Sequence, residues 1–226
     1  MPRKARSKQT LSKAQSRAVR KIAEKVVDAE VEDKKFCMVS ENNQLYHNKP
    51  GYMSKILRII EPGYLSGAQS TGALGVKTVR VGDEIGLKNI NIRFWLSNKD
   101  DRPNVMYKGV LFWLPSDMAP SDAIVYATQT NKMLDRYNTN QIRIVDKFLV
   151  KSTNNYAVDA NNHEKSYLAT LNKSYKSKKI KYDELSGIPK GMDLAFALVC
   201  YDAYGTLQTD NIASFAWNMQ ITFQDA

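Results

Sequence analysis

Residues 215–223 read Phe-Ala-Trp-Asn-Met-Gln-Ile-Thr-Phe, with a large apolar side chain at every odd position and a small or polar one between. Successive side chains of an extended chain point to opposite faces, so this run can bury a single face only as a β-strand. Ile90, Ile92, Phe94 and Leu96 repeat the pattern, with Asn91 and Arg93 outward. Ile85 and Leu87 sit on the opposite parity, which predicts a bulge near Lys88-Asn89. Ile142, Ile144, Phe148 and Val150 alternate with Arg143, Lys147 and Lys151. Residues 105–114 and 194–201 are apolar on both parities, as in strands covered on both faces.

Strand patterns fall at about 35–46, 53–60, 79–96, 105–114, 141–152, 166–182, 193–202 and 212–224. Turn-rich stretches separate them, and 123–137 carries the pattern of a short helix. Strands without alternating helices argue for an antiparallel sandwich or barrel and against a βαβ fold. Eight of them in one domain predict an all-β, single eight-stranded jelly roll spanning 34–226.

The first tenth of the chain obeys different chemistry. Of the formal net charge of +10, most sits in residues 1–21, which hold Arg3, Lys4, Arg6, Lys8, Lys13, Arg17, Arg20 and Lys21 and no acid. The remaining residues carry 25 basic and 23 acidic side chains, so the body is nearly neutral. A polycationic segment repels itself and lacks the apolar surface to fold alone. A polyanion removes that repulsion and releases counterions. These eight residues are therefore the candidate nucleic-acid contacts; a solubilising or nuclear-localising tail is the plainer reading.

Within residues 1–33 a helix is expected. Ser12 followed by Gln15 is a capping-box pattern. Leu11, Ala14, Ala18, Ile22 and Val26 recur every three or four residues, beside Val19 and Ala23. Acids begin at Glu24 and concentrate at Asp28, Glu30, Glu32 and Asp33. The arm is thus basic and partly helical, about five turns at most.

A second basic cluster, Lys173, Lys176, Lys178, Lys179 and Lys181, is interleaved with Tyr175, Ile180 and Tyr182. Such a run can grip a single strand through phosphates and stacked bases. The plainer reading is a strand with lysines on its wet face and Ile180 and Tyr182 on its core face.

Nothing in the sequence builds a catalytic site, and no metal, cofactor or membrane span is expected. Gly67 to Gly72 begins like a phosphate-binding loop, but Ala73-Leu74 stand where Lys and Ser or Thr are required. The histidines, His47 and His163, have no metal-ligand neighbours at the usual spacing. Cys200 shares parity with Leu194, Phe196 and Leu198, which makes it a packing residue and not a thiol nucleophile paired with His163. Cys37 and Cys200 form no CxxC pair, so the chain suits a reducing compartment, and the opening MPRKARSK is not expected to be a secretory signal.

Several segments, in order, resemble the capsid proteins of circular, Rep-encoding single-stranded DNA viruses. Gly82-Asp83-Glu84-Ile85-Gly86-Leu87-Lys88-Asn89-Ile90-Asn91-Ile92-Arg93 is similar to their early strand pair. Arg143-Ile144-Val145-Asp146-Lys147, Lys178-Lys179-Ile180-Lys181-Tyr182-Asp183 and the closing Ile221-Thr222-Phe223-Gln224-Asp225 resemble later strands of that family. The resemblance covers roughly residues 35–226, while the arm has fewer arginines than many of those capsids. It implies a virion component without enzymatic activity: a small icosahedral shell of about sixty copies (T=1), enclosing circular single-stranded DNA. Host nuclear passage would fit the arm. The residues alone leave open a satellite-type RNA virus coat protein, or a cellular β-sandwich binding module with a basic tail.

Overall fold

The computed structural model describes residues 12–30, 33–62, 79–99, 101–102, 104–151, 166–184, 186–202 and 207–225. The chain divides into two units, Met1–Asp33 and Lys34–Ala226.

In the first unit, α1 spans Lys13–Glu30. The expected capping box closes it: the Gln15 N–H donates to Ser12 Oγ at 3.3 Å, and the Ser12 N–H donates to Gln15 Oε1 at 3.0 Å. These two bonds satisfy donors that a helix start otherwise leaves without partners.

In the second unit, β1 (Lys34–Tyr46), β5 (Glu84–Asn98), β8 (Ser166–Lys181) and β10 (Asn211–Asp225) form one sheet, in the order β1-β10-β5-β8. A second sheet holds β2 (Gly51–Met53), β6 (Val105–Pro115), β7 (Arg143–Val150) and β9 (Met192–Asp202), in the order β2-β9-β6-β7. The pairs β1/β10, β2/β9, β5/β8 and β6/β7 are all antiparallel. They nest one inside the next, so the chain is a long four-stranded-by-four-stranded hairpin rolled into two facing sheets. That is the jelly roll the alternation predicted.

The inner faces of the two sheets supply the core. Phe94 of β5 meets Phe196 of β9 edge-on, with ring centroids 5.3 Å apart and planes at 86°. Trp217 of β10 meets the same Phe196 at 5.7 Å, and Phe148 of β7 lies 5.5 Å from Phe94. Each such pair adds about 0.5–1.5 kcal/mol beyond the area it buries. Phe148 has room only because its cross-strand partner is Gly109, where a methyl group would overlap the Phe148 ring.

The bulge expected near Lys88 is present. Thr222 pairs with Asn89 and Phe223 with Leu87, leaving Lys88 as the extra residue that reverses the parity of β5. Four expectations need correction. The stretch 53–60 is not one strand: β2 ends at Met53, and Ile56–Ile59 form a 3₁₀ turn. Its backbone is satisfied by side chains instead of a ladder: the Leu57 N–H donates to Asp193 Oδ1 at 3.0 Å, and the Tyr182 hydroxyl donates to the Leu57 carbonyl at 3.1 Å. The stretch 79–96 breaks at Gly82, whose φ of 81° turns the chain between β4 (Val79–Arg80) and β5. β4 pairs in parallel with β3 (Glu61–Pro62).

The third correction concerns β7, where the alternation puts Ile144 and Phe148 on one face. Leu111 pairs with Asp146 and Phe112 with Ile144, so Val145 is a bulge. Ile142 and Ile144 therefore join a second, outer cluster, while Val145, Phe148 and Val150 pack on the main core. The fourth is the short helix, which is one turn only, α2 (Asp122–Val125).

That outer cluster explains the doubly apolar β6 and β9. Val125, Tyr126 and Ile142, from the excursion between β6 and β7, cover Val110, Phe112, Leu114, Ala195 and Ala197 on the outer face of the second sheet. Two lysines fasten the excursion. Lys108 Nζ donates to the carbonyls of Lys132 (3.0 Å), Met133 (3.2 Å) and Asp135 (2.6 Å). Lys132 Nζ donates to the Asn48 carbonyl at 3.0 Å and pairs with Asp122 Oδ2 at 2.9 Å.

Gly109→Ala forces the Phe148 ring out of its place and is expected to cost about 1–3 kcal/mol. A urea midpoint measured on the full chain checks this: a midpoint unchanged from the parent would show that Phe148 can move without loss.

Candidate nucleic-acid interface

The positions of Lys13, Arg17, Arg20 and Lys21, at i, i+4, i+7 and i+8, put four cations on one stripe of α1. All four side chains are exposed. Val19, Ile22, Ala23 and Val26 lie together on the other side of the same helix, and the three larger ones are solvent-exposed. The helix has no acid in its first turn and no base in its last. Lys13 in the first turn, with Arg17 just after it, lies toward the positive end of the helix dipole, where an anion is the favourable companion. Arg3, Lys4, Arg6 and Lys8 lie outside the described residues, as do His163 and the 67–72 loop.

The five lysines of β8 do not act as one patch. Three residues of β8, 175–177, stand opposite the single Lys88 of β5. This widened bulge switches parity, so Leu171 faces the core before it and Lys178, Ile180 and Tyr182 take the inward parity after it. Lys178 is half-buried, with its ammonium 4.3 Å from the centroid of Trp113 on the opposite sheet. Burial, and then the nearby Arg143, holds its pKa below the ordinary lysine value. Lys179 is exposed and pairs with Glu84 Oε1 at 2.6 Å, and Lys181 lies 3.8 Å from Glu84 Oε2. The bond from Lys179 lowers the Glu84 pKa. Lys173 and Lys176 are exposed around the bulge.

Asp146, in the Arg143–Lys147 motif, has a structural task. Its Oδ2 accepts the Asn172 N–H at 2.7 Å, covering a donor on the edge strand β8.

Cys200 and His47 are packing groups. Burial raises the Cys200 pKa, and its thiol donates to the Tyr46 carbonyl at 3.3 Å. His47 Nδ1 accepts the Asp202 N–H at 3.2 Å, and the ring lies 4.5 Å from that of Tyr201. Desolvation holds the His47 pKa below the ordinary 6.5; Asp202 and Asp210 oppose that shift and Arg102 adds to it. Among the described residues no cluster of three or more His, Cys, Asp or Glu could hold a metal, and no helix is long and apolar enough to cross a membrane.

One residue missed in the sequence stands on the outer face of the first sheet. Trp95 is exposed between Phe94 and Leu96, both buried. A large aromatic on the wet parity of a clear strand was the available signal.

No protein-family model matches the chain. No curated protein matches it either. Among solved structures, a chain described as Desmodium yellow mottle tymovirus aligns over 86% of this chain and 87% of its own length, at 10% identity and a TM-score of 0.35. The VP1 protein of Trichodysplasia spinulosa-associated polyomavirus, in complex with GM1 oligosaccharide, aligns over 86% of this chain and 78% of its own, at 11% identity and a TM-score of 0.14. The jelly roll is assigned from the strand order itself.

Two outcomes follow. Lys178→Ala should lower stability by about 1 kcal/mol, through loss of the cation–π contact, while Lys179→Ala should leave the urea midpoint in place. Equal midpoints for the two variants would contradict the inward placement of Lys178. His47 binds a proton less readily folded than unfolded, so its contribution is present above about pH 6.5 and is lost as pH falls. Melting curves between about pH 7.5 and 5.5 should therefore drop more for the parent chain than for His47→Asn.

Proposed function

We propose that this chain is a viral coat protein that assembles a closed shell and packages single-stranded nucleic acid, DNA in the first instance, through its basic arm. The observation that carries the reading is the joining of a two-sheet jelly roll to a separate unit whose helix carries a stripe of four cations. Copies of one asymmetric subunit close into a shell by point-group symmetry, in the simplest case sixty copies, or T=1. The described surface offers such a subunit long strands and a fastened excursion, and no built catalytic group. The role is structural, in the virion; the arm also suits entry to the host nucleus.

Packaging follows from charge. Each arm brings eight cations, Arg3, Lys4, Arg6, Lys8, Lys13, Arg17, Arg20 and Lys21. Sixty arms would neutralise on the order of 500 phosphates and release their counterions. Such contacts fix backbone and not base, so the arm itself does not distinguish DNA from RNA. The choice of circular single-stranded DNA rests on the ordered strand motifs at 82–93, 143–147, 178–183 and 221–225.

The test is to express the full chain and a variant beginning at Lys34, and to examine both by electron microscopy and by absorbance at 260 and 280 nm. Both should give uniform shells, with nucleic acid abundant in the first and nearly absent in the second. For the full chain the salt slope of single-strand binding should be about −6, set by about eight neutralised phosphates. A persistent 25.6 kDa monomer would overturn the coat-protein reading. Equal packaging by both chains would overturn the role of the arm. Digestion of the contents by DNase or RNase identifies the nucleic acid.

A further inference from the structure

Among the described residues of the second unit, no segment covers the outer face of the first sheet as the excursion covers the second, and its residues are unusual for a bare surface. Reading across β1, β10, β5 and β8, the rows are Lys35-Thr222-Asn89-Ser174, Cys37-Gln220-Asn91-Asn172 and Val39-Asn218-Arg93-Thr170. The next row places Ala216, Trp95 and Leu168 side by side. Amides and hydroxyls dominate, and one large aromatic stands among them.

Trp95 is held in place. Its indole N–H donates to Ser97 Oγ at 3.0 Å, and Ser97 Oγ is 3.1 Å from Ser166 Oγ across the strand. The one polar atom of the ring is thus occupied, so what the residue offers is its π face, with the small Ala216 on one flank. Beside it, Asn89 and Asn91 both donate to Asn172 Oδ1, at 3.1 and 3.3 Å, which holds a ladder of amides at the surface. The charged residues on the outward parity are Lys35, Arg93, Lys179 and Lys181, against Glu84; Lys88, Lys176 and Glu41 lie in bulges. The face is therefore weakly basic.

An ordered aromatic for stacking, amides at base-edge height and cations for phosphates are the three parts of a single-strand binding surface. We infer that the outer face of this sheet seats a short stretch of single-stranded nucleic acid, one base stacking on Trp95 and a neighbouring phosphate meeting Arg93. This deepens the packaging reading and rests on it: the arm would supply long-range attraction, and the sheet a fixed seat. The competing occupant of an exposed Trp95–Leu168 pair is a second copy of the chain. The basic charge and the shared amides favour the polyanion.

The chain's own fluorescence can test this, because two of its three tryptophans, Trp113 and Trp217, are 3% and 5% exposed while Trp95 is 57% exposed. Oligo(dT) of about 20 nucleotides, added to the full-length chain, should quench the exposed component by base stacking. Trp95→Ala should abolish the quench and weaken binding about tenfold, and Trp95→Phe should recover most of that loss. Replacing Lys13, Arg17, Arg20 and Lys21 together by Gln should weaken binding but leave the quench at saturation unchanged. If oligo(dT) binds the full chain with no quench, the seat on the sheet is wrong while the arm reading stands. If it does not bind and the particles are empty, both readings fall. If Trp95→Ala prevents shell formation and leaves oligonucleotide affinity unchanged, the face is a contact between copies and the inference is overturned.

Discussion

Phe196 is where the two sheets meet, and most of the architecture depends on that meeting. Phe94 and Trp217 reach it from two neighbouring strands of the opposite sheet. Because strand side chains alternate, fixing these rings inward fixes every other residue of β5, β9 and β10. A slip of one residue in any of these strands would exchange core for solvent along its length. The bulges at Glu41–Asn42, Lys88, Val145 and 175–177 change parity, and each delivers a particular side chain to the inside. Leu87, Val145 and Lys178 reach inward only through them.

This frame also explains what the sequence made legible. The alternation at 215–223 and 90–96 needs no tertiary knowledge, and both strands were found with their faces correct. The Lys88 bulge was readable because the parity reverses within a single strand. The Ser12–Gln15 cap was readable because its signal is local. What stayed hidden depended on distant partners. Residues 56–60 are apolar enough for a strand, yet Asp193 and Tyr182, far along the chain, satisfy the backbone of Leu57 in a 3₁₀ turn. Val145 bulges to suit β6, so the alternation in β7 misled. Of the candidate site, the cations of α1 were visible as composition, whereas the inward turn of Lys178 followed from a three-against-one mismatch that no single strand reveals.

The two sheets differ on their outer sides. The second is covered by the excursion that Lys108 and Lys132 fasten, and buries apolar side chains and aromatic rings there. The first presents a flat lattice of Asn, Gln, Ser and Thr, with Arg93 and Trp95 standing in it. This asymmetry gives the sandwich two chemically distinct sides without any difference in strand architecture.

The small parallel pair β3/β4 has a consequence of its own. Glu61 lies beside Val79 and Pro62 beside Arg80, so the chain departs and returns at adjacent points on the rim. Arg80 anchors the return: it is buried, donates to the Gly82 and Ser186 carbonyls, pairs with Asp83 and lies 4.1 Å from the centroid of the Tyr182 ring. Entry and exit are thereby fixed by residues on either side, whatever length of chain joins them. Closure entropy rises only with the logarithm of the length closed, so an insertion between Pro62 and Val79 is expected to leave the stability of the frame nearly unchanged.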